Sequence, residues 1–272
     1  MSPLLAHDPV TASGAEPERW MLVLHGIYGQ GRNWASVARR FVRERPSWGL
    51  MLVDLRLHGA STGFEPPHTV PRCAEDVAAL AETLGAPVEG VLGHSFGGKV
   101  ALLYAALAPR PPAQLWLVDS QPGPRDPDGS AWHMLEVLRR FPGPFSDRAE
   151  GIAAVESAGF ATGVAQWMST NLVPDPHGDG LVWRLRADDM EALLRSFYGT
   201  DAWGVVEDPP GAMEVHVVKA RDSSVLDEED EARVEAAARA TGRAHLHRVE
   251  GGHWVNADNP EALLQLLVAH VP

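Results

Sequence analysis

The sequence predicts an α/β fold, with helices packed on a mostly parallel sheet, and three observations carry that prediction. From residue 20 onward, short apolar runs of strand length alternate with longer amphipathic segments. The chain has 272 residues, 45% of them hydrophobic, which is enough for a sizeable core in one large domain or two small ones. The alternation stops once, over residues 122–210, and then resumes, so one insertion interrupts an otherwise continuous layered core.

The elements follow in order. Residues 1–18 lack periodicity and are expected to be a flexible tail. Residues 20–24 read as a strand ending in a glycine-rich turn. Residues 33–45 read as a helix with Trp34, Val37, Ala38 and Phe41 on one face, stopped by Pro46. A second buried strand is expected over 50–55 and a helix over 71–84, where Val77, Leu80, Ala81 and Leu84 recur at helical spacing before Gly85. A third strand, 88–92, runs directly into Gly93-His94-Ser95-Phe96-Gly97-Gly98. An apolar helix over 99–108 follows and is closed by Pro109. The strand over 115–118 ends at Asp119-Ser120. Within the insertion, 131–141 and 188–198 look helical, and the whole stretch holds nine of the 19 aromatic residues. Strand 215–219, helix 228–240, strand 246–249 and helix 261–269, the last opened by Asn259-Pro260, complete the core. The expected organisation is therefore a core of 19–121 and 211–272 with a helical cap of 122–210.

Composition narrows the function. Thirty-six acidic against 23 basic residues give a formal charge of -13, which repels nucleic-acid backbones and anionic lipid surfaces. The one cysteine, Cys73, cannot close an intrachain disulfide or supply a cysteine-pair zinc site. With neither an apolar leader nor a spanning run in view, the expectation is a cytoplasmic protein, monomer or homodimer, that needs no metal or cofactor.

Gly93-His94-Ser95-Phe96-Gly97 fits G-x-S-x-G between a strand and a helix. A serine hydroxyl is a weak nucleophile, and such a sharp turn presents it beside the positive end of a helix. Its general base must come from elsewhere in the chain. His253, in a turn after the last expected strand, is the candidate. His94 is expected to point away by strand alternation, and His216, His245 and His247 to be satisfied sheet or surface residues. The acid that orients the imidazole is ambiguous on residue grounds. Asp222 follows one strand end and Asp119 another, and either loop could reach.

Taken together, HGIYGQGRNW (25–34), DLRLHGAS (54–61), GHSFGGKVAL (93–102), LVDS (117–120) and GGHWVNADNP (251–260) resemble the serine hydrolases of the α/β-hydrolase superfamily. Lys99 and the His-Trp-Val run resemble, within it, small bacterial and mitochondrial acyl esterases. The resemblance implies an eight-stranded core, a helical cap over Ser95, and Asp119 as the acid. It also implies an oxyanion hole made by the backbone N–H groups of Ile27 and Phe96. Asp54 to Ser61 is expected to order the loops around the site, with His25 a brace. Tyr28, Trp132, Trp167 and Trp254 are expected to line an apolar pocket for a small-molecule ester. The expected activity is carboxylic-ester hydrolysis through an acyl-enzyme. A C–C hydrolase, lactonase, perhydrolase or acyltransferase would use the same residues. From other classes, a non-catalytic binding protein and a nicotinamide oxidoreductase compete. The oxidoreductase rests on Gly26, Gly29, Gly31 and a following Asp54, but the spacing is G-x-x-G-x-G instead of the dinucleotide-binding G-x-G-x-x-G.

Overall fold

The structure is a computed structural model that describes residues 3–272. Its strands are β1 (His7–Val10), β2 (Arg19–Leu24), β3 (Trp48–Val53), β4 (Val88–His94), β5 (Gln114–Val118), β6 (Leu172–Pro174), β7 (Leu181–Trp183), β8 (Glu214–Ala220) and β9 (Ala244–Val249). Its helices are α1 (Ala35–Glu44), α2 (Val70–Ala81), α3 (Phe96–Leu107), α4 (Gly129–Arg140), α5 (Arg148–Ser157) and α6 (Thr162–Ser169). They continue with α7 (Ala187–Gly199), α8 (Trp203–Glu207), α9 (Glu228–Thr241), α10 (Val255–Asp258) and α11 (Pro260–His270).

Alternation along the strands builds two cores, one on each face of the sheet. Leu22, Leu24, Val91, Leu115, Leu117, Val215 and Val217 face α2, α3 and the insertion. Their neighbours Met21, Val23, Leu92, Trp116, Val118 and Val218 face α1 and α11. Strands buried on both faces are what parallel sheets demand, and they explain the nearly unbroken apolar runs.

Among the described residues the sheet has seven strands in the order β1-β3-β2-β4-β5-β8-β9, not the eight the resemblance implies. Only β1 is antiparallel; it pairs His7 with Val53 through Val10 with Leu50. This edge strand lies inside the segment expected to be a flexible tail, of which residues 1–2 fall outside the described part. Local signals set the helix ends. The Thr69 hydroxyl caps α2 by accepting from the Arg72 N–H at 3.3 Å, and Asp227 and Asp230 form a reciprocal box at the start of α9.

Between β5 and β8 lie α4 to α8 and a two-stranded antiparallel ribbon of β6 and β7 that the sequence reading did not foresee. The parallel register pairs Leu24 with Gly93, His94 with Val118, and Val118 with Val218. His25, Ser95 and Asp119 therefore emerge side by side at the carboxyl edge of the sheet, where open α/β sheets place their sites.

Candidate active site

Ser95 sits between β4 and α3 with φ 51 and ψ -118, a conformation an L-residue adopts only where the surroundings enforce it. Two glycines make the corner possible by close approach. A Cβ on Gly93 would lie 2.2 Å from the Gly97 carbonyl oxygen, and one on Gly97 would lie 2.5 Å from the carbonyl oxygens of Leu24 and His25. The turn is also held by hydrogen bonds. The Ser95 N–H donates to the Val118 carbonyl at 3.1 Å, and the Ser120 hydroxyl donates to the Ser95 carbonyl at 2.5 Å.

His253 follows β9, half-buried, and its Nδ1–H donates to Asp119 Oδ2 at 2.7 Å. That bond leaves the lone pair on Nε2, and His253 borders the same cavity as Ser95. Asp119 has no exposed surface and a φ of 41. Burial alone would push its carboxyl up. The hydrogen bond and charge of His253, the Ser223 hydroxyl at 2.5 Å and the Ala220 N–H at 3.1 Å outweigh burial, holding it below the usual carboxylate range. Asp222 is exposed, and its backbone N–H is bonded to the Gly251 carbonyl at 3.1 Å. The structure thus joins Asp119, not Asp222, to the imidazole. Among the described residues, Asp222 makes no bond to His253, and it stays exposed to solvent.

The loop carrying Ile27 passes close to the serine, since a Cβ on Gly26 would lie 3.3 Å from Ser95 Cβ. Phe96 opens α3, so its N–H has no acceptor within the helix. Its side chain is buried against Phe197 and His58, leaving the backbone as its contribution. The Ile27 loop is clamped from both sides. From the core, His58 Nε2 accepts the Tyr28 N–H at 3.0 Å and His25 Nε2 accepts the Leu55 N–H at 3.0 Å. From the insertion, the Asn171 amide donates to the Tyr28 carbonyl at 2.8 Å, and the Tyr28 hydroxyl donates to the Ala131 carbonyl at 2.8 Å. Burial pushes His25 down to about 4 and His58 down to about 3, so both are neutral acceptors. The Asp54 carboxylate accepts the Gly31 and Ala60 N–H groups at 2.8 Å each. It is thereby committed to loop structure, and the ribose role of the oxidoreductase reading finds no free carboxylate there.

A cavity of about 490 Å³ opens over these groups. Its core wall includes Ile27, Tyr28, Ser95 and His253, and its insertion wall includes Phe160 and Trp167. Trp254 also borders it, with its ring centroid 4.2 Å from that of Trp167. Trp132 does not. Ser130, Ala131 and Met134 of α4 face the cavity, while Trp132, on another side of the same helix, packs against Tyr198 and beneath the Arg195 guanidinium.

Several participants were not visible in the sequence. His94, expected to point away, borders the cavity; its Nε2 donates to the His253 carbonyl at 2.8 Å and its ring lies 4.7 Å from the His253 ring. Ser223 supports Asp119 but stands in an unremarkable loop. Lys99 is buried, and its ammonium donates to the Gly123 carbonyl at 2.7 Å and the Phe197 carbonyl at 2.5 Å, tying both ends of the insertion to α3. Burial pushes this lysine down to about 7.

This layered fold, with a serine at a tight strand-to-helix corner, defines a class, and comparison with known families agrees: the model of the Alpha/beta hydrolase family matches residues 21–266, and the chain belongs to that family. Among individual proteins it is similar to the sn-1-specific diacylglycerol lipase ABHD11 of Xenopus laevis, being 25% identical over 260 residues that cover 91% of this chain and 78% of that protein. It is 35% identical over 99 residues to Lipase LipV of Mycobacterium tuberculosis, covering 36% of each chain. A solved esterase of a marine microorganism superposes with a TM-score of 0.82 over 98% of both chains at 22% identity, a likeness of fold.

Proposed function

We propose that this protein is a serine esterase that hydrolyses carboxylic esters with short to medium acyl or otherwise apolar groups. The observation that carries the reading is the 2.7 Å bond between His253 and the buried Asp119, on the wall of the cavity that also exposes Ser95. In the proposed mechanism Ser95 Oγ attacks the ester carbonyl carbon while His253 Nε2 takes the hydroxyl proton. Asp119 holds the Nδ1–H tautomer and stabilises the imidazolium. The backbone N–H groups of Ile27 and Phe96 receive the developing oxyanion, a contribution on the order of 3 kcal/mol per donor. Collapse expels the alcohol, which takes the proton from His253, and leaves an acyl group on Ser95. Water, deprotonated by His253, then releases the acid and restores the serine. Tyr28, Trp167 and Trp254 bound the space for the apolar part of the substrate. The cavity is within the size range of pockets that hold drug-sized ligands.

Relatives named as lipases and esterases support the ester as the bond cleaved. None of the described helices is long and apolar enough to cross a membrane. The test is a series of p-nitrophenyl esters of increasing acyl length. Hydrolysis with a chain-length optimum is expected, and Ser95→Ala should lower kcat by a factor on the order of 10⁴ to 10⁶ with the fold intact. No turnover of any chain length by the wild type, or full turnover by Ser95→Ala, would contradict the proposal.

A further inference from the structure

A second cluster of chemically capable side chains lies away from the cavity, toward the amino ends of β8 and β9. The parallel register sets His216 directly beside His245, and Glu214 is two residues earlier on the same face of β8. His216 is 1% exposed and stacks on the buried Trp116, with ring centroids 4.1 Å apart and planes inclined by 8°. Among the described residues its Nε2 has no hydrogen-bond partner, and neither has Nε2 of His245. Glu214 Oε2 lies 3.6 Å from His216 Nε2, too far for a good hydrogen bond. Leaving two buried imidazole nitrogens without partners is costly, and nothing in the catalytic site requires them.

We propose that Glu214, His216 and His245 form a binding site for a divalent transition-metal ion, Zn²⁺ by its chemistry. One ligand atom from each residue already lies within 4.8 Å of the other two. Ligand atoms about 2.1 Å from a tetrahedral zinc are roughly 3.4 Å apart, so only side-chain adjustments are needed. Two imidazoles and one carboxylate form a borderline nitrogen and oxygen set suited to zinc. Metal ligation requires neutral imidazole. His216 Nδ1 lies 3.0 Å from His247 Nε2, and donation from that Nδ1–H would orient the ring with its Nε2 lone pair toward the metal. Glu214, half-exposed, opens the site to solvent, and water fills the remaining coordination position. The ion would clamp β8 to β9 beneath α11. It takes no part in the proposed ester hydrolysis, because Asp119 and His253 lie beyond the opposite ends of the strands.

The test uses tag-free full-length protein, stripped with a chelator and then equilibrated with ZnCl₂. Bound zinc is counted by elemental analysis, affinity is measured against a chromophoric chelator, and melting is followed by circular dichroism. About one zinc per chain and a raised melting temperature are expected. Glu214→Gln and His245→Gln, both at partly exposed positions, should each weaken binding at least tenfold while retaining the wild-type metal-free spectrum. His253→Gln in the catalytic cavity should bind zinc as the wild type does. Absence of stoichiometric zinc, wild-type affinity in both Glu214→Gln and His245→Gln, or loss of binding in His253→Gln would overturn the proposal.

Discussion

At the scale of single residues, which aspartate bonds the imidazole is set by hydrogen bonding and burial, and neither is written in the local sequence. Asp119 and Asp222 both follow strands of the same sheet edge, and their neighbours give no reason to prefer one. What separates them is the 2.7 Å bond from His253 to Asp119 and the complete burial of Asp119, whose backbone has φ 41, against the exposure of Asp222. Asp119→Asn should lower kcat/KM by a factor on the order of 10³ to 10⁴ by favouring the wrong imidazole tautomer. Asp222→Asn, at an exposed position, should change it less than threefold. Steady-state kinetics of the two variants decide the matter, and the reverse ranking would place the imidazole on the other aspartate. Ser95 and His253 were legible because each stands in a glycine-rich turn at a strand end. His94 was not, because its contact is with His253, 159 residues further along the chain, and no local pattern reports that approach.

At the scale of elements, strands buried on both faces were the most legible, and β4, β5 and β8 differ from their expected bounds by at most two residues. The insertion was legible only in part. α4 and α7 carry clear apolar periodicity, but α5 buries only Gly151 and Val155, and β6 and β7 are three residues each, too short for a pattern to declare itself. The turn from β4 to α3 works as a unit with β2, since Gly97 rests on the backbone of Leu24 and His25. Gly97→Ala must push those strands apart. It should destabilise the protein by about 1 to 3 kcal/mol, lowering the melting temperature by several degrees and turnover with it. An unchanged thermal transition would show that the corner has slack.

At the scale of the whole molecule, buried neutral histidines set the response to acid. His25, held at about 4, and His58, held at about 3, brace the loops of the catalytic edge as hydrogen-bond acceptors. In the unfolded chain each binds a proton near the ordinary value of ~6.5, so below that pH the unfolded state holds more protons than the folded one. Stability is therefore greatest above about pH 6.5 and declines as pH falls toward 4. Below about pH 4 the depressed carboxyl of Asp119 adds to the loss. Thermal melts at pH 7, 6 and 5 should show a falling transition temperature, and a constant one would mean that these imidazoles are accessible to protons when folded. The general architecture was readable because alternation of strand and helix reports layers directly. Long-range register was not, and it is register that places His216 beside His245 and leaves seven strands in the sheet.

The most direct measurement is covalent capture of the nucleophile. A fluorophosphonate probe, followed by peptide mass spectrometry, should label Ser95 alone, with loss of esterase activity in proportion to labelling. Labelling should be slowed by orders of magnitude in His253→Gln and Asp119→Asn. Complete inactivation with Ser95 unmodified, or equally rapid labelling without His253, would contradict a serine activated by the imidazole that Asp119 holds.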